Sequence, residues 1–293
     1  MERLGPGGRA GKQMTRRVGI VGYGSLGQYL VDMIVQAGAE QGLQLVFVWN
    51  RSQEKMRGRV PEELQLKDLN TFGDRKSDLI LEVSHPQITK EFGERFLRNA
   101  DFMAGSPTAF ADPETDRRCR RASAQHGHTL YIPSGALWGA SDIQKMADRG
   151  TLKGLKVTMT KAPRCFRLEG GLAELNETVT ERRTVLYEGS VRSLCPLAPN
   201  NVNTMAAAAM AAHSLGFDQV QGCLVSDPQL GAWHVVDIEV TGPGDETSGR
   251  AFTVKSSRRN PSPPGAVTGE ATYSAFWSSV LSCTGHGGRV FLC

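Results

Sequence analysis

The sequence predicts an α/β protein in which a doubly wound parallel sheet is followed by a second, α+β domain. Three observations predict it. Strand-like and helix-like segments alternate up to about Pro133, a glycine cluster sits between the first strand and the first helix, and the alternation then gives way to strands with one wet face. The length of 293 residues suits about two domains.

The elements follow in order. Residues 1–16 hold four glycines and four basic side chains with no hydrophobic period, and are expected to be a disordered tail. Arg17-Val18-Gly19-Ile20-Val21 is a short apolar strand. Gln28 to Val35 places apolar residues at helical spacing. Leu43 to Trp49 and Asp78 to Val83 are further β-rich runs, with helical segments such as Ile88 to Asn99 between such strands. Phe102-Met103-Ala104 and Thr129 to Ile132 complete this half, read as a domain over 17–133. Ala140 to Arg149 then reads as a helix. Leu152 to Thr160 alternates, with Leu155, Val157 and Met159 on one face, as an antiparallel strand with one solvated side does. Thr184 to Gly189 reads as a strand or turn, and Asn203 to Ser214 as a buried Ala- and Met-rich helix. Val220 to Ser226, His234 to Thr241 and Arg250 to Ser256 are three more strands. This second, substrate domain is expected over 134–261. Residues 262–293 form a last segment, with a helix expected from Ala271 to Leu281 and then a Gly-rich end.

Composition excludes several functions. Lys plus Arg is 34 and Asp plus Glu is 30, and an excess of +4 scattered along the chain does not make a nucleic-acid surface. No apolar run approaches the roughly 20 residues of a membrane span. The six cysteines are far apart, with no CxxC pair and no zinc spacing, so reduced thiols in a cytoplasmic protein without a metal are expected.

The glycine cluster is Gly22-Tyr23-Gly24-Ser25-Leu26-Gly27, after a strand and before a helix. In that context Gly22 permits the tight turn, Gly24 lets backbone approach a pyrophosphate, and Gly27 lets the helix pack against the strand. Backbone N–H groups at the helix start then face the phosphates. This is a Rossmann-type dinucleotide site. Where an NAD enzyme usually carries a carboxylate at the end of the second strand, this chain has Asn50-Arg51. A guanidinium pairs with the 2′-phosphate of NADP, so NADP is expected to be accepted beside NAD; the bland alternative is a solvated Arg51. Ser84-His85-Pro86 ends a strand at the switch point of the sheet, where His85 either meets ribose or phosphate or serves only as a loop residue.

In the second half, Pro133-Ser134-Gly135-Ala136, Lys161-Ala162-Pro163, Asn200-Asn201-Val202-Asn203, Asp227-Pro228 ahead of His234, and Asn260-Pro261 occur in that order. Together with the glycine loop, this set resembles the L-aspartate dehydrogenase family from about Arg17 to Pro261. The resemblance implies a homodimer that oxidatively deaminates the small molecule L-aspartate with NAD or NADP. It matches the family's catalytic histidine to His234 and its cofactor contacts to Ala136 and Asn201. Thr160 stands where the family often carries Arg, and the chain diverges after Pro261. The residue chemistry runs in parallel. Deamination needs a proton acceptor near neutral pH, which His234 supplies unless it is a structural histidine. A dicarboxylate needs a cation, for which Lys161 is the candidate against a surface role. Asn203 offers an amide to substrate or caps the Ala-rich helix. A dehydrogenase of another amino or imino acid, and a dinucleotide-binding redox sensor or interaction protein with little turnover, are the alternative readings.

Overall fold

The computed structural model describes residues 15–245, 247–263, 265–267 and 271–293. The tail expected over 1–16 lies outside them except for Thr15 and Arg16, and Arg16 already belongs to the first strand. The elements run β1 (Arg16–Val21), α1 (Ser25–Ala37), β2 (Leu43–Trp49), β3 (Leu79–Glu82), α2 (Pro86–Leu97), β4 (Asp101–Ala104), α3 (Pro113–His126), β5 (Leu130–Ile132), α4 (Ala140–Asp148), β6 (Gly154–Lys161), α5 (Gly171–Glu177), β7 (Thr184–Ser190), α6 (Val191–Leu194), α7 (Asn203–Ala211), α8 (Gly216–Gln219), β8 (Gln221–Ser226), β9 (Trp233–Thr241), β10 (Thr253–Pro261), α9 (Ala271–Leu281) and β11 (Val290–Leu292). Short 3₁₀ turns fill the stretch between β2 and β3.

The strands form two sheets. The first is parallel throughout, in the order β11-β5-β4-β3-β1-β2. β3 and β4 are buried at every position, which explains why their sequences are apolar apart from one carboxylate each, Glu82 and Asp101. The second sheet runs β10-β9-β6-β8-β7, antiparallel except where β6 lies parallel to β8. There β6 alternates buried and half-buried positions, as its sequence pattern predicts. α7, apolar on every side, is buried from Met205 to Ala211 in a core reached by both sheets.

Two sequence expectations need correction. The late strand lies at Thr253–Pro261, not over 250–256. Its Lys-Ser-Ser-Arg-Arg segment has no apolar alternation to mark it, and pairing with β9 sets its position. The Gly-rich end also contains a strand. β11 pairs parallel with β5, and Cys293, which follows it, donates its N–H to Ile132 O at 3.0 Å. Three residues are too few to show a period, so the sheet edge supplies the signal that the sequence lacks. Among the described residues, no helix is long and apolar enough to cross a membrane. All six cysteine thiols are free, and five are buried.

Candidate active site

The glycine loop leaves the C-terminal end of β1. Gly22 has φ +117°, and a Cβ there would lie 2.7 Å from Val83 O. A Cβ on Gly27 would lie 2.1 Å from Gly22 O, so only glycine lets α1 start this close to the turn. Above Gly24 the space is open. Gly24 is the N-cap of α1 and supplies no side-chain cap, and the first turn holds no acidic residue. The N–H groups of Ser25 and Leu26 therefore face an open, positively polarised helix end. A dinucleotide pyrophosphate fits this cradle in shape and in charge.

Neighbouring loops brace it. Asn50 Oδ1 accepts from Tyr23 N at 3.0 Å and its amide donates to Ser52 O at 2.8 Å, so its side chain ties the loop to the end of β2. Arg51 is exposed beside it. Glu82, fully buried at the end of β3, was not anticipated from the sequence as a site residue. It accepts from the N–H groups of Ser84, His85 and Ser106 at 2.7, 3.0 and 3.0 Å, and from the hydroxyls of Ser84, Thr89 and Ser106. One carboxylate thus clamps the loops after β3 and β4. Burial pushes its pKa up, and these donors pull it back. A carboxylate at the end of an otherwise apolar strand was the signal available in the sequence. His85 spends Nδ1 on Gln87 N at 3.2 Å as the N-cap of α2.

A cleft of about 150 Å³ opens at the C-terminal edge of the parallel sheet, where the second sheet meets it. Leu26, Gly105, Pro107 and Ser134 to Ala136 line it from the first sheet's loops. Met159, Lys161, Asn201, Asn203, His234 and Asn260 line it from the second. Thr272 and Phe276 of α9 close it. Of the residues singled out in the sequence, Leu26, Ala136, Lys161, Asn201, Asn203 and His234 meet here. Gly22, Tyr23, Gly24, Ser25, Gly27 and Asn50 surround the phosphate cradle, and Ser84 and His85 flank it. Arg51, His85 and Ser84 do not reach the cleft.

Register explains the meeting. Asn260 pairs with His234, Val235 pairs with Thr160, and Lys161 pairs with Ser226. The ends of β10, β9, β6 and β8 therefore carry Asn260, His234, Lys161 and Ser226 in one row, all buried. Ser226 is held by Asn176 Oδ1 at 2.7 Å. Among the described residues, His234 Nε2 has no hydrogen-bond partner, and neither has Asn203 Oδ1. Asn203 is the first residue of α7 and not its cap, which is Val202. Asn201 is spent locally, its Oδ1 accepting from Arg167 N at 2.8 Å. Lys161 Nζ donates to Val267 O at 2.9 Å. It forms no ion pair among the described residues and is only 4% exposed, which rules out a surface role. Burial lowers its pKa to about 8. Burial first, and the Lys161 charge second, push His234 down to about 4, against a smaller opposite pull from the Ala266 backbone. Among the described residues, the cleft at neutral pH holds a neutral imidazole with an unshared nitrogen beside an ammonium with no counter-ion.

Residues 142–279 match the family described as aspartate dehydrogenase, C-terminal, and residues 22–133 match the NAD binding domain of homoserine dehydrogenase. An aspartate dehydrogenase domain-containing protein of Xenopus tropicalis is 60% identical over 96% of this chain and 99% of its own length. An L-aspartate dehydrogenase of Methanopyrus kandleri is 29% identical over 75% of this chain and 80% of its own. The crystal structure of aspartate dehydrogenase from Thermotoga maritima shares the fold, with TM-score 0.65 and 20% identity over 91% of this chain and 94% of that one. The chain belongs to the aspartate dehydrogenase family of pyridine-nucleotide oxidoreductases.

Proposed function

We propose that the protein oxidatively deaminates L-aspartate, giving iminoaspartate and then oxaloacetate and ammonia, with NAD or NADP as oxidant. The observation that carries this reading is the buried pair at the cleft: among the described residues, an unpartnered imidazole nitrogen stands next to an ammonium without a carboxylate. A buried cation is costly unless an anion joins it, and a substrate carboxylate is the anion that fits. Lys161 holds that carboxylate, and Asn203 Oδ1 accepts from the substrate amine or the carboxamide of the cofactor. His234 Nε2 takes a proton from the substrate ammonium, leaving the neutral amine that deamination requires. Bound nicotinamide supplies the acceptor for the Cα hydride. Once it has passed that proton to solvent, His234 serves as the base for water that attacks the imine. Gly22 to Gly27 cradle the pyrophosphate. Ala136 and Asn201 border the nicotinamide end, and Asn50, Ser84 and His85 border the ribose path.

Purified protein, aspartate and NADP, followed at the absorbance of reduced nicotinamide, test the reading. Turnover is expected. Oxidation of other amino acids but not aspartate replaces the substrate, and tight cofactor binding without any turnover replaces the enzyme with a sensor. Arg51 is proposed to pair with the 2′-phosphate. Arg51→Ala is then expected to weaken NADP binding about tenfold and NAD binding hardly at all, as calorimetric dissociation constants check. Equal losses for the two cofactors remove Arg51 from that role.

A further inference from the structure

We propose that His234 becomes an effective base only when a carboxylate lies on Lys161, so that the second carboxyl group of a dicarboxylic amino acid switches on the base as well as anchoring the molecule. This rests on the reading that Lys161 receives that carboxylate. The argument begins from register. Lys161 ends β6 next to the position of His234 on β9, and both side chains are buried on the same face at the same end of the sheet.

Among the described residues, Lys161 alone sets the local field. His234 shares the cleft with Lys161 from β6, Asn260 from β10, Asn203 from α7, Thr272 from α9, Ser134 from the loop after β5 and the Val267 backbone. Lys161 is the one titratable group among them. Arg259 of β10 lies over the Trp233 ring, 5.2 Å from its centroid, and Trp233 points to the opposite face from His234. The buried Cys165 thiol is close enough to Lys161 to act on its charge. With no carboxylate near among the described residues, an imidazolium next to Lys161 meets a like charge in a poorly solvated place. The low basicity of His234 in the empty cleft agrees with that.

A carboxylate placed on Lys161 reverses the field. It neutralises the ammonium and sets a negative charge beside the imidazole, so the protonated ring becomes favourable. The N–H bond of the substrate ammonium breaks, an N–H bond forms on Nε2, and no other group gains or loses charge. An amino acid with a neutral side chain leaves Lys161 uncompensated and His234 a poor acceptor. Selection for dicarboxylates is then expressed in kcat as well as in KM.

The test is the titration of the His234 ring proton by NMR in the full chain, assigned by its loss in His234→Gln. It is recorded alone, with succinate and with propionate. Succinate, a dicarboxylate without an amine, is expected to raise the midpoint by about one pH unit or more, and propionate by much less. In Lys161→Met the midpoint is expected to rise without any ligand and to ignore succinate. Failure of succinate to bind, an unmoved midpoint with succinate bound, or an equal response to propionate overturns the proposal; the wild-type arms decide this even if Lys161→Met does not fold. Aspartate oxidation by the same preparation separates the two readings. Turnover with an unmoved midpoint removes only the coupling, while a moved midpoint without turnover removes the reaction and leaves the coupling standing.

Discussion

In the proposed reaction His234 and Lys161 carry most of the chemistry, and each has a pH consequence of definite sign. His234→Ala is expected to lower kcat by about 10²–10⁴-fold, the usual share of an acid–base group, with cofactor affinity retained. Wild-type turnover in that variant would remove it from the mechanism. Lys161 loses its proton near pH 8 in the empty cleft. Dicarboxylate affinity is therefore expected to fall as pH rises through about 8, because the carboxylate prefers the charged amine; calorimetry with succinate from pH 7 to 9 checks it. For His234 the pKa in the fold, about 4, lies below the ordinary value of about 6.5 expected when unfolded. Between those values the unfolded chain holds a proton that the fold excludes, so stability falls as pH drops through that window. His234→Asn should flatten this part of the stability profile, as denaturant melts at pH 7 and pH 5 can show.

At the scale of elements, the site depends on how loops are joined to strand ends. Glu82 satisfies N–H groups from two loops that face the cofactor cradle. Glu82→Ala leaves buried donors unpaired and is expected to cost about 2–4 kcal/mol, with weaker nucleotide binding. Urea melts and cofactor titration measure both, and an unchanged protein would show that the clamp is idle. The glycine loop was legible because its function is local: turn, close approach and helix start lie within six residues. Glu82 was less legible, because its partners Ser84, Thr89 and Ser106 come together only when β3 and β4 pair. β10 was displaced in the sequence reading for a related reason. Its solvent-facing edge carries no apolar period, so Asn260 entered the row with His234 through register alone.

At the scale of the whole molecule, the chain ends by returning to its beginning. α9 places Thr272 and Phe276 at the cleft, and β11 then joins the first sheet beside β5. Tyr131 OH accepts from Gly285 N at 2.8 Å and meets His286 Nδ1 at 3.0 Å, which fixes the segment between them. Removal of residues 284–293 is expected to cost about 2–4 kcal/mol from the lost burial around Phe291 and Leu292, and to loosen α9 from the cleft. Thermal melts and the KM for the cofactor report the two effects. A truncated chain with unchanged melting and kinetics would show that the return is dispensable.

The sequence by itself determined the parallel sheet, the glycine cradle, the buried Ala-rich helix and the identity of the chemically able side chains. These depend on periodicity and on spacing over a few residues, which a linear chain displays directly. Only the tertiary structure decided that Lys161, His234 and Asn260 stand side by side, that Asn203 is left unpartnered while Asn201 is spent on a loop, and that the last residues add a strand. Those facts come from strand register and from burial. Both arise when segments separated by tens to hundreds of residues exclude water from one another, and no local pattern encodes them.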